Sequence, residues 1–253
     1  MFNSSRALRA GLCRLLGVVA IVAASGIQAG VTTERTRVIF PAGSNEVSVR
    51  VVNVNPYPVM VQTWVDDGSL ESTPDKSISS LMSLPPVFPL RPSEQQTLRL
   101  LYTGDRLPAD RESLFWLNIY EIPPSSKQAQ QGQEQQRLMV AMRTQIKLFY
   151  RPSALAGEVA GAASKLTFTL LEKDRTVHLQ VANPTPYYVT LSGLDIHQGQ
   201  QRQVIGGDMV APFGSLDIAA QGLAVGQNGD VHFSWIDDDG NAQDAHAVLR
   251  SSP

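Results

Sequence analysis

The period of the hydrophobic residues constrains this chain more than anything else in it. From Glu46 to Val54 the side chains alternate, with Val47, Val49 and Val51 on one side and Ser48, Arg50 and Val52 on the other. Asn53-Val54-Asn55-Pro56-Tyr57-Pro58 then breaks the run, Val59–Val65 resumes it, and Asp66-Asp67-Gly68 turns the chain. Strict alternation bounded by Pro, Gly and Asn reads as β-strand, because successive side chains on a strand point to opposite faces. Further pieces of this kind are Val87–Leu90, Gln96–Tyr102 and Leu114–Tyr120, and no window holds helical spacing for three turns.

The same pattern returns later in the chain. Leu166–Leu170, Val177–Val181 and Tyr187–Leu191 read as strands, with Asn183-Pro184-Thr185-Pro186 as a turn between the last two. Gln227–Asp230 carries a hairpin signal leading into Val231–Ile236, and Asp237–Asn241 reads as another turn. Many short strands with prolines and glycines at the joints predict an antiparallel sandwich, here two in tandem. Ser153-Ala154-Leu155-Ala156-Gly157 is small and weakly patterned, as an interdomain elbow would be. Ser125–Gln136 is rich in glutamine and reads as a solvated hairpin loop.

The run Leu138–Pro152 reads as a strand with Leu138, Val140 and Met142 in one apolar row, while Arg143 and Gln145 interrupt the other side. That row is open to two readings: it packs into the core of its own domain, or it belongs to an edge strand lent to another protein.

The first residues carry Arg6, Arg9 and Arg14 without an acid, then an apolar run from Leu15 to Ala24, then Ser25–Ala29. This is the layout of a secretory signal, with cleavage expected after Ala29, and the apolar run is short for a bilayer core of roughly 30 Å. The only cysteine, Cys13, would leave with the signal, so the exported chain would have no disulfide and would rely on packed cores. With three arginines of the 21 basic residues removed, 18 remain against 23 acidic ones, a net charge of about −5. A nucleic-acid partner, which calls for a basic face, is not indicated.

Enzyme chemistry finds little support. His178, His197, His232 and His246 fall in no metal-ligand spacing and read as structural histidines. Aligning Gly240 with the turn glycine of a calcium loop puts Trp235 where the first carboxylate belongs, so that pattern fails. There is no phosphate-cradling glycine loop and no serine nucleophile elbow.

An ordered set of segments carries a family resemblance: Thr36–Phe40, Pro85–Leu90, Asp110–Asn118, Glu121–Pro124, Ile146–Pro152 and Asn183–Tyr188. In this order they resemble the PapD-like family, the periplasmic chaperones of the chaperone–usher pathway that escort pilus subunits. The resemblance implies two tandem immunoglobulin-like β-sandwiches in an L (boomerang) arrangement. The expected layout is a signal at 1–29, an N-terminal domain with the donor strand at 30–152 and a C-terminal domain at 153–253. It further implies that Leu138, Val140 and Met142 fill the groove of a subunit that lacks its last strand, and that Arg37 and Lys147 anchor the subunit's terminal carboxylate. Glu112, Arg151 and Asp238 are implied as an ion network between the domains. Pilus subunits and an outer-membrane usher are the partners implied, with no cofactor and with a self-capping dimer as a candidate free state. The disulfides that some members carry are absent here.

The rival class is a structural or adhesive sandwich, either a pilus subunit or a carbohydrate-binding module. A subunit would carry an N-terminal extension of alternating apolar residues, whereas Gly30–Arg35 is polar. A sugar binder would expose aromatics, whereas Trp64, Trp116 and Trp235 lie inside strand patterns. A hydrolase is a more distant third.

Overall fold

The computed structural model describes residues 30–124, 140–155 and 161–251; the expected signal, Leu138 and the glutamine-rich loop lie outside them. The first nine strands are β1 (Val31–Thr33), β2 (Arg37–Pro41), β3 (Glu46–Asn53), β4 (Val59–Asp66), β5 (Leu81–Leu84), β6 (Val87–Leu90), β7 (Gln95–Tyr102), β8 (Ser113–Ile122) and β9 (Met142–Arg151). They form two sheets, ordered β1-β3-β7-β5 and β2-β9-β8-β4-β6. The opening segment serves both, pairing antiparallel with β3 through β1 and parallel with β9 through β2. Alternation closes the sandwich: Val49 and Val51 on β3, Leu98 and Leu100 on β7, Leu117 and Ile119 on β8, and Ile146 and Leu148 on β9 meet in one buried core with Phe40. Burying each such side chain is worth about 1.5–3 kcal/mol.

Eight more strands follow: β10 (Thr167–Lys173), β11 (Thr176–Ala182), β12 (Val189–Gln198), β13 (Gln201–Gly206), β14 (Met209–Val210), β15 (Ser215–Ala219), β16 (Gly229–Ile236) and β17 (Ala242–Ser251). They run in the order β13-β12-β16-β17-β10-β11-β15, with β14 added to β12, around a second core that includes Phe168, Leu170, Leu179, Ile196, Val231 and Phe233. Among the described residues helix is confined to 3-10 turns such as Ser153–Leu155 and Ala163–Lys165. The molecule is all-β.

Two sequence expectations need correction. The strand predicted from Leu138 begins at Met142, so Val140 precedes it. Gln227–Asp230 is not a hairpin: the strand before it, β15, pairs with β11, while β16 pairs with β12 and β17. The Asn228-Gly229 pair marks entry into a strand, and the chain has crossed the domain to reach it. Asp237–Asn241 does join neighbours, because Ile236 faces Ala242 across the β16–β17 ladder.

Candidate functional site: the open edge of β9 and the cations at its end

Strand β9 is paired along its whole length on one side, from Glu121 opposite Met142 to Ser113 opposite Tyr150 on β8. On its other side β2 covers only the far end, from Arg37 opposite Lys147 to Pro41 opposite Arg151. Residues 142–146 therefore present a ladder edge that no strand among the described residues occupies. The apolar row divides at the same place. Ile146 and Leu148 point into the sandwich, whereas Val140 and Met142 are 57% and 45% exposed. An unpaired edge beside exposed apolar side chains is a template for another strand.

Arg37 and Lys147 are direct register partners on adjacent strands, with both side chains on the outer face of the sheet. Arg37 is buried, donates from Nη1 to the carbonyl of Ile236 at 2.9 Å and lies 6.0 Å from the centroid of the Phe149 ring. Lys147 Nζ lies 3.3 Å from Thr190 Oγ1 and 5.7 Å from the centroid of the Trp116 ring. Among the described residues neither cation has an ion-pair partner within 4.0 Å. Burial, then repulsion by Arg37, holds the Lys147 ammonium below the ordinary lysine value, and burial lowers Arg37 despite Asp238, Asp237 and Glu112 nearby. Two partly desolvated cations without an anion can take up a carboxylate through charge-assisted hydrogen bonds.

Glu112, Arg151 and Asp238 meet where the two sandwiches touch. Arg151 donates from Nε to Glu112 Oε1 at 2.7 Å, from Nη1 to Asp238 Oδ2 at 2.7 Å and from Nη2 to Asp238 Oδ1 at 2.9 Å. Glu112 also accepts the backbone N–H of Tyr188 at 2.8 Å, so it joins the first sandwich to the turn before β12. Burial raises the Glu112 carboxyl above the usual range against the pull of Arg151. Gly240, at φ +88° in the β16–β17 turn, approaches so closely that an added Cβ would lie 2.3 Å from Thr36 Oγ1.

The pattern reading missed Arg143. Its Nε donates to Asn118 Oδ1 (2.7 Å), Nη1 to the carbonyls of Leu70 (2.9 Å) and Ser72 (3.2 Å), and Nη2 to Asp66 Oδ2 (3.1 Å) and the carbonyl of Ser69 (3.2 Å). All five guanidinium donors are used. The group also lies 4.9 Å over the Trp64 ring. No local spacing signals this, since the acceptors lie 25 to 77 residues away.

Comparison with known proteins agrees with the geometry. Residues 30–156 match the model of the N-terminal domain of PapD, a pili and flagellar-assembly chaperone, and residues 161–247 match the C-terminal domain of the pili assembly chaperone PapD. The probable fimbrial chaperone YadV of Escherichia coli is 36% identical over 87% of this chain and 90% of its own. The chaperone protein FimB/FhaD of Bordetella pertussis is 36% identical over 93% and 97%. The crystal structure of the YadV chaperone superposes with a TM-score of 0.72 at 35% identity, covering 87% of this chain and 99% of that one. A Salmonella enterica structure of SafA pilin in complex with the SafB chaperone gives 0.70 at 29% identity, covering 89% and 99%. Both halves of the chain, in their order and over most of their length, thus place it in the PapD family of pilus-assembly chaperones.

Proposed function

We propose that this chaperone folds and holds pilus subunits by adding β9 to their incomplete sheet, with Val140, Met142 and Leu138 filling the subunit's groove and Arg37 and Lys147 gripping its terminal carboxylate. The observation that carries the reading is a half-edge that no strand among the described residues covers, ending at two cations that have no ion-pair partner within 4.0 Å among those residues. Main-chain bonds along residues 142–146 supply affinity, and alternate side chains supply the fit. A client tail ending at this cation pair runs parallel to β9, in line with β2, which continues the same edge beyond it.

Each groove-filling side chain contributes about 1.5–3 kcal/mol, and each charge-assisted hydrogen bond to the carboxylate about 1.5–3 kcal/mol. Association costs of at least about 4 kcal/mol are set against these. The balance favours a complex that strand exchange can still release. Release occurs at an outer-membrane usher, and the site of action is the periplasm, reached through cleavage of the signal after Ala29. We assign residues 30–152 and 153–253 to the two domains, with Glu112, Arg151 and Asp238 holding the angle between them. In the absence of a subunit the edge is open to a second copy of the chain, which gives a self-capped dimer. A chaperone of this kind is not an enzyme class, and the mechanism calls for no cofactor.

The test is co-expression with the subunits encoded beside the gene. Lys147→Ala is expected to abolish co-purification of subunits while the thermal unfolding of the chaperone is kept. Normal subunit recovery with that variant would refute the anchor.

A further inference from the structure

Four buried side-chain polar atoms lack a hydrogen-bond partner among the described residues, and two of them, Arg37 Nε and Gln145 Nε2, lie at this one edge. Gln145 stands two residues before Lys147 on β9, so its side chain is on the same outer face, within the stretch that β2 leaves uncovered. Its neighbour across the β8–β9 ladder is Asn118. That amide is engaged: Oδ1 accepts from Arg143, and Nδ2 donates to the carbonyl of Trp116 at 3.2 Å. Arg143, the next outward residue along β9, has its own donors fully engaged elsewhere. None of these inner neighbours accepts from Gln145 Nε2. Roughly 90% or more of buried polar groups in folded proteins are bonded, so a buried donor left over at a binding edge calls for an acceptor. The open side is the one from which a client strand arrives.

We propose that Gln145 is a specificity-determining residue, donating from Nε2 to a side-chain oxygen of the client residue that faces it, just before the carboxylate reaches Arg37 and Lys147. The inference rests on the carboxylate-anchor reading above. The chemical class selected is a tail whose outward residue carries an amide, carboxylate or hydroxyl oxygen. An aliphatic residue of the same size leaves the Gln145 donor buried and unpaired, which a site built for a hydrogen bond rejects. Because strand side chains alternate, only one of the client's last two residues can be read in this way.

The experiment uses N-terminally labelled decapeptides of alternating valine and threonine with a free C-terminal carboxylate. Asparagine or leucine is placed at the last or the penultimate position, and binding is read by fluorescence anisotropy. Wild type is expected to prefer asparagine by about tenfold or more at one of the two positions, the ratio that follows from leaving one buried donor unpaired. Gln145→Leu is expected to erase that preference while binding the leucine peptide at least as well as wild type does. Amidation of the peptide terminus, or Lys147→Ala, is expected to weaken all peptides alike. Absence of discrimination in wild type, or its survival in Gln145→Leu, with dependence on the carboxylate intact, overturns this inference alone. Insensitivity to both amidation and Lys147→Ala overturns the anchor and this inference with it.

Discussion

In the proposed anchor, Lys147 combines two demands that pull in opposite directions, since the carboxylate grip calls for its charge and the fold would be easier with it neutral. Its pKa in the folded chain lies below the ordinary 10.5 because of burial and then Arg37. Between the lowered value and 10.5 the unfolded chain binds the proton and the folded chain does not, so stability rises with pH across that window. With Lys147 as the proposed anchor, subunit capture is expected to fall across the same window. Denaturant midpoints and peptide affinities measured at stepped alkaline pH should therefore diverge, and a parallel loss of both would count against this account. Lys147→Ala should flatten both profiles.

At the level of elements, β9 is two strands in one: its far half is paired on both edges, by β8 and β2, and its near half by β8 alone. Replacing Val140 and Met142 by serine is expected to send subunits to aggregation or proteolysis, while the chaperone's Tm stays within a few degrees, because both side chains are exposed. Unfolding of the chaperone itself would show that the row belongs to its own core. Arg143 predicts the opposite outcome. Asp66 is 2% exposed in its side chain and shares Arg143 with Trp64, whose Nε1 donates to Asp66 Oδ2 at 2.9 Å. Arg143→Ala leaves that carboxylate without its cation, at a cost of about 3–5 kcal/mol. Lysine cannot satisfy five acceptors from a planar fork, so Arg143→Lys should recover little of the loss in a urea titration. Gly68 belongs to the same turn, at φ +93° with Trp116 Nε1 2.3 Å from an added Cβ, so Gly68→Ala should loosen it.

Much of this was legible in the sequence because burial on one face of a sheet writes itself as alternation. The cores follow from Val49, Val51, Leu98, Leu100, Leu117 and Ile119. Alternation does not, however, say which strands are neighbours, and for that reason the Asn228-Gly229 signal misled. Strand β1 lies within Gly30–Arg35, which is polar in the sequence, because it has three residues and only Val31 is buried. The adjacency of Arg37 and Lys147 came from resemblance alone, since parallel pairing across more than a hundred residues leaves no local trace. Arg143 and Gln145 looked like plain polar outward positions, and only the three-dimensional fate of their donors separates them.

For the whole molecule, the Arg151 guanidinium is one of the groups that join the two sandwiches. Arg151 is 12% exposed in its side chain and bridges Glu112 of the first sandwich to Asp238 of the second. Arg151→Ala is expected to leave both sandwiches folded by circular dichroism but to broaden their separation in small-angle scattering. It should also weaken subunit capture, because Ile236 and Thr190 reach the cation pair from the second sandwich. Unchanged scattering would show that other contacts set the angle.

Because β2 enters the ladder at Arg37, directly opposite Lys147, the molecule's own second strand stands as a doorstop across the track proposed for a guest strand. A subunit lengthened by even a short C-terminal tag would strike that stop before its terminus met the charges, whereas the same tag at the other end of the subunit would pass unnoticed.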